Sequence, residues 1–138
     1  MIKIICFGKI KEQYLKDLIS DYELRLRKYV KLEIIELKDS TIQANETKSL
    51  LNIFNKSDYN ILLDINGKNF SSEELARKLD NIFIINSNIT FIIGSSVGVE
   101  PIIKNMVNER ISFSSNTFPH GLFRGILLEQ IYRCFKIN

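Results

Sequence analysis

Short apolar runs alternate with longer stretches in which apolar residues recur every three or four positions, and the alternation persists along the whole chain. Ile2 to Phe7 reads as a strand closed by Gly8, and from Glu12 to Tyr29 the residues Tyr14, Leu15, Leu18, Ile19, Tyr22, Leu26 and Tyr29 fall at helical spacing. Leu32 to Leu37 mixes Ile and Leu with Glu33 and Glu36 in a strand pattern. Asp39-Ser40-Thr41 then offers helix-start chemistry, and Asn45 to Phe54 gives a short helix. Tyr59 to Ile65 is a third strand, followed by the turn signal Asn66-Gly67. Ser71 with Glu74 three residues later forms a capping box that opens a helix to Leu79. Ile89 to Ile93 forms a fourth strand, Glu100-Pro101 permits a helix start, and Ile111 to Phe113 makes a fifth, shorter strand before a last helix from Pro119 to Phe135.

Strands that alternate with helices imply an α/β fold, a parallel sheet covered on both faces as an α/β/α sandwich. The near-continuous apolar runs Ile61-Leu62-Leu63 and Thr90-Phe91-Ile92-Ile93 suit strands buried on both sides. Such open sheets bind ligands beyond the carboxyl ends of their strands. Two ends are chemically suited: Leu63-Asp64-Ile65-Asn66-Gly67-Lys68 and Ile93-Gly94-Ser95-Ser96-Val97-Gly98. No repeat or linker divides the chain, so residues 1–138, with 45% hydrophobic content, are expected to form one domain.

Charge and cysteine usage narrow the function classes. The formal charge of +3 is too small to announce nucleic acid alone, but the excess is uneven. Lys3, Lys9, Lys11, Lys16, Arg25, Arg27, Lys28 and Lys31 face only Glu12, Asp17, Asp21 and Glu23 within the first 31 residues, and the remainder is essentially neutral. Cys6 and Cys134 form neither a disulfide framework nor a zinc cluster, so no metal site is expected. The opening apolar run is too short for a signal peptide and no run approaches a membrane span, which points to a reducing, cytosolic setting.

Each candidate residue has a plain reading beside a functional one. Gly94 and Gly98 permit close backbone approach to a ligand or simply turn the chain, and neither G-x-G-x-x-G nor the P-loop pattern is present. Asp64 either holds a ligand hydroxyl or amine or caps the turn toward Asn66-Gly67, and Lys68 either reaches a phosphate or solvates that turn. Ser112 to Phe118 supplies hydroxyls, an amide and two aromatics, a mixture that suits a purine or an ordinary loop with phenylalanine anchors. His120, the one histidine, lies four residues before Arg124, so both project toward one region, where a proton carrier and an anion clamp would sit together, or His120 simply caps the helix or packs as a polar residue. Glu129 and Arg133 repeat that spacing as a helix salt bridge or a tie to a neighbour.

Together, Gly8-Lys9-Ile10-Lys11-Glu12, Asp21-Tyr22-Glu23, Ile34-Ile35-Glu36-Leu37, Leu63-Asp64-Ile65-Asn66-Gly67-Lys68 and the span from Phe91 to Ile137 resemble the ribosomal RNA large subunit methyltransferase H family, among the knotted SPOUT methyltransferases. Pro119-His120, Arg124 and Glu129-Gln130-Ile131-Tyr132-Arg133 are the most specific part. The resemblance implies a C-terminal trefoil knot and methyl transfer from S-adenosyl-L-methionine to N3 of a pseudouridine in 23S ribosomal RNA. It further implies action on the assembled ribosome, as a cytoplasmic homodimer, with neither DNA nor membrane as partner. It places Leu63, Gly94, Phe113, Ser114, Ser115, Asn116, Thr117 and Phe118 around the methyl donor and leaves His120 and Arg124 as substrate-positioning candidates.

This sequence departs from the family at two positions and at its end. Gly94-Ser95 stands where the family has a glycine pair, and Ser115-Asn116 stands where a lysine is usual. The family also continues beyond the position of Asn138 into a Tyr-His tail. The alternative to an active methyltransferase is a ribosome-binding protein that keeps the fold, with or without the cofactor site, and has lost catalysis.

Overall fold

A computed structural model describes residues 1–138. Five strands, β1 (Ile2–Phe7), β2 (Leu32–Leu37), β3 (Tyr59–Asn69), β4 (Ile89–Ile93) and β5 (Glu109–Ser112), form one all-parallel sheet in the order β2-β1-β4-β3-β5. Between them run α1 (Gln13–Leu26), α2 (Gln43–Ile53), α3 (Ser72–Ile85) and α4 (Pro101–Met106), and α5 (His120–Ile137) closes the chain.

Strand alternation sorts the apolar residues onto two faces. Ile2, Ile4 and Cys6 of β1, Ile61 of β3, and Ile89, Phe91 and Ile93 of β4 point toward α1, α3 and α5, where Leu26, Leu79, Leu127, Leu128 and Ile131 complete the larger core. Ile5, Phe7, Leu62 and Ile92 point the other way, onto Leu50 of α2 and Ile103 of α4. Every residue of β4 is buried, as a strand flanked on both edges and covered on both faces must be.

The capping box forms as expected: Glu74 N–H donates to Ser71 Oγ at 3.1 Å, and Ser71 N–H donates to Glu74 Oε1 at 2.8 Å. The helix it opens continues past Leu79 to Ile85. The larger difference is in β3, which does not end at a turn at Asn66-Gly67. Leu63 and Lys68 both pair with Ile111, so residues 64 to 67 loop out and the strand rejoins β5 on the rung it left. Gly67 makes this possible, because a Cβ there would lie 2.7 Å from the carbonyl of Arg110.

The basic N-terminal surface is smaller than its residue count. Lys3 turns inward to Asp58 at 3.1 Å, Arg25 pairs with Asp21, and Arg27 pairs with Glu23. Lys9, Lys11, Lys16, Lys28 and Lys31 remain exposed and have no carboxylate partner. No helix is long and apolar enough to cross a membrane.

Candidate cofactor and substrate site

A parallel sheet gathers its carboxyl ends on one rim, and the exits of β3, β4 and β5 meet there around a cavity of about 420 Å³. That volume lies within the range of roughly 300 to 1,000 Å³ typical of small-molecule sites. Leu62, Leu63, Ile93 and Ile111 supply an apolar floor, and the loop after β5 and the start of α5 close the far side with Phe113, Phe118 and Phe123. These rings form a packed set, Phe113 to Phe123 at 5.7 Å between centroids and Phe118 stacked on Phe123 at 5.9 Å.

The loop between β5 and α5 is tied by its own hydroxyls. Ser114 N–H donates to Ser112 Oγ at 3.2 Å, Ser112 Oγ–H donates to the Ser114 carbonyl at 2.8 Å, and Asn116 N–H donates to Ser114 Oγ at 3.0 Å. Such side-chain turns fix an irregular backbone without regular secondary structure. Backbone groups of the loop then border the cavity from a defined frame.

Opposite stands the turn that leaves β4. A Cβ on Gly94 would lie 2.6 Å from Cγ2 of Val99, so close packing of the turn on itself requires glycine there. Gly98 sits at φ +78°, a conformation that favours glycine. Gly98 N–H donates to the Ser95 carbonyl at 3.0 Å and closes the turn.

Asp64 is the one carboxylate on the wall. Its Oδ1 accepts from Asn66 N–H at 3.0 Å, which is the capping role left open in the sequence. Its Oδ2 is buried and accepts no hydrogen bond, although Arg110 Nη1 at 3.5 Å and Lys104 Nζ at 3.8 Å balance its charge. Lys68 is not at the cavity; its ammonium lies 5.3 Å from the centre of the Phe70 ring.

The structure brings Leu63, Gly94, Phe113, Ser114, Asn116, Thr117, Phe118 and His120 to one wall system. Ser115 is exposed at the loop tip and does not line the cavity, and His120 is exposed at its mouth, at the first position of α5.

Arg124 does not line the cavity beside His120, so the two side chains are not gathered in one region as their spacing predicts. It is buried on α5, with Nη1 donating to Glu36 Oε2 and Nη2 donating to the carbonyls of Gly8 at 3.2 Å and Phe7 at 3.5 Å. A spacing of four places two side chains on one side of a helix, but the helix buries one turn of that side and exposes the other.

Phe123 and Ser95 also line the cavity, although the sequence does not single them out as site residues. The signal for Phe123 was its place three residues after His120, on the same helical face. Neither thiol offers a nucleophile: burial pushes Cys6 up to about 11 and Cys134 up to about 12, so both stay protonated at neutral pH.

The wall combines apolar surfaces that suit ring faces, a backbone-rich loop that suits a heterocycle edge, and one carboxylate. The family described as "Predicted SPOUT methyltransferase" matches residues 1–138. A protein of Acetivibrio thermocellus named ribosomal RNA large subunit methyltransferase H is 44% identical, over 99% of this chain and 94% of its own length. Proteins of the same name from Clostridium novyi and Fusobacterium nucleatum are 45% and 44% identical, with the same shares covered.

Proposed function

Because the chain belongs to the SPOUT methyltransferases, and within them to the ribosomal RNA large subunit methyltransferase H family, we propose that it methylates N3 of a pseudouridine in large-subunit ribosomal RNA. The proposed donor is S-adenosylmethionine and the proposed substrate the assembled ribosomal particle. The single cavity shared by the exits of β3, β4 and β5 carries this reading.

When bound, the donor supplies a methyl group on a sulfonium sulfur, already activated and losing its charge as the methyl departs. The residues present are therefore asked mainly to position two reactants. Leu63, Gly94, Phe113, Ser114, Asn116, Thr117 and Phe118 would hold the donor, and Ser115 would shape the loop tip. The target nitrogen must give up its proton as its bond to carbon forms, so a group that orients the base or stabilises the anionic ring assists. His120, exposed at the cavity mouth, is the residue proposed for that contact.

Lys9, Lys11, Lys16, Lys28 and Lys31 are proposed to contact ribosomal RNA phosphates. The homodimer is proposed to use α1 and α5, where Tyr22, Tyr29, Tyr132 and Phe135 form an incompletely buried aromatic cluster, with Tyr29 stacked on Phe135 at 5.7 Å. The proposed fold includes the family's trefoil knot, which would brace the loop after β5 against the turn after β4.

The test is to incubate the protein with isotopically labelled S-adenosylmethionine and intact ribosomes lacking the modification, and to map the product by mass spectrometry. One labelled methyl on N3 of a pseudouridine is expected. Donor binding with no transfer would favour the non-catalytic ribosome-binding alternative, and transfer to another nucleotide would refute the substrate assignment.

A further inference from the structure

We propose that Glu46, on α2 and outside the cavity, is a positioning residue for the methyl donor, acting through Ser95 to hold the turn after β4 in its binding shape. This inference rests on the donor reading above. Glu46 is only 3% exposed and forms no ion pair. A buried carboxylate is costly unless donors surround it, and these come from two loops. Ser40 N–H donates to Oε2 at 2.9 Å, and the Ser95 hydroxyl donates to Oε1.

The grip is doubled one turn earlier on the helix, where Gln43 Nε2 donates to the Val97 carbonyl at 3.0 Å. Within the turn, Val97 N–H reaches Ser95 Oγ at 3.4 Å and Gly98 N–H reaches the Ser95 carbonyl at 3.0 Å. Ser95 is thus the point where the internal bonds of the turn and the clamp from α2 meet. Gly94, Ser95, Ser96 and Gly98 line the cavity, whereas Glu46 does not. Glycines at both ends leave the turn free to change shape once the clamp is released.

The chemistry of the pair sets a specific requirement. The Ser40 amide can only donate, whereas a serine hydroxyl can donate or accept. A glutamine at position 46 can place its oxygen on Ser40 and donate its NH₂ to Ser95 Oγ, keeping both bonds without the charge. Alanine keeps neither. Positioning is therefore expected to survive Glu46→Gln and to fail in Glu46→Ala.

The experiment measures S-adenosylmethionine affinity by calorimetry on the full chain, with thermal midpoints recorded for every variant. Glu46→Ala and Ser95→Ala are each expected to weaken binding on the order of tenfold, the worth of one charge-assisted hydrogen bond. Glu46→Gln is expected to stay within about twofold of the wild type, since both bonds persist. Ile82→Ala, a core truncation on α3, is expected to lower the midpoint and leave affinity unchanged.

Wild-type affinity in Ser95→Ala, equal loss in Glu46→Gln and Glu46→Ala, or equal loss in Ile82→Ala would each overturn the proposal. If Glu46→Ala does not fold, Ser95→Ala and Glu46→Gln decide it. A wild-type protein that binds no S-adenosylmethionine would instead overturn the donor reading, and this inference with it.

Discussion

Replacing Arg124 separates a residue that holds the fold from one that handles substrate. Its guanidinium joins α5 to the carbonyls that end β1 and to Glu36 on β2. Glu36 keeps 38% side-chain exposure, so water takes over after truncation and loss of the pair costs only about 1 kcal/mol. The carbonyls of Gly8 and Phe7 lose their donors for about another 1 kcal/mol, the 3.5 Å bond counting little. Lost packing of the buried stem adds about 1 kcal/mol more.

Arg124→Ala should therefore cost about 3 kcal/mol, which at a urea m-value of about 2 kcal/mol/M lowers the midpoint by roughly 1.5 M. Arg124→Met should cost about 2 kcal/mol, because methionine refills the apolar volume but restores neither the ion pair nor the donors to the carbonyls. Urea titrations followed by circular dichroism give the midpoints, and donor affinity below the transition should match the wild type. If both variants unfold at the wild-type midpoint while methyl transfer collapses, the packing account is wrong and Arg124 acts on substrate.

Gly94→Val should weaken S-adenosylmethionine binding in calorimetry by tenfold or more, because even a Cβ meets Val99 at 2.6 Å; unchanged affinity would misplace the pocket. Binding of ribosomal RNA should fall steeply as salt rises, and neutralising Lys9 and Lys11 together should flatten the slope in a filter-binding series; a salt-independent affinity would refute phosphate contacts. Cys6 and Cys134 titrate near 11 and 12 when folded against an ordinary 9.0, so the unfolded chain releases these protons first. Their contribution to stability is full below pH 9 and is lost as pH rises through 11 to 12, measurable as a falling midpoint in alkaline urea titrations. At pH 8 a thiol reagent should react only as fast as the protein opens.

Periodicity made the strand and helix order legible because both sheet faces are buried, leaving β1, β3 and β4 as apolar blocks with few interruptions. The loop within β3 was not legible. Asn66-Gly67 carries an ordinary turn signal, and only β5, some 40 residues later, shows that the chain returns to the same rung at Ile111. The cavity was largely legible because two of its walls are turns with unusual composition, Gly94 to Gly98 and Ser112 to Phe118. Glu46 was not, since a glutamate among polar residues on a short helix reads as solvated, and its donors are backbone and hydroxyl groups from distant loops. Arg124 misled for the converse reason: its partners at Gly8 and Glu36 are remote in sequence.

The turn at Gly94 grows directly out of β4, the one strand in which every residue is buried, with neighbours on both edges. A guest seated there leans on the segment whose amides, buried and paired on both edges, are expected to exchange with deuterium last, when the whole molecule opens. Occupancy is thus felt as protection of the entire domain against heat and proteases, rising with the logarithm of free ligand concentration.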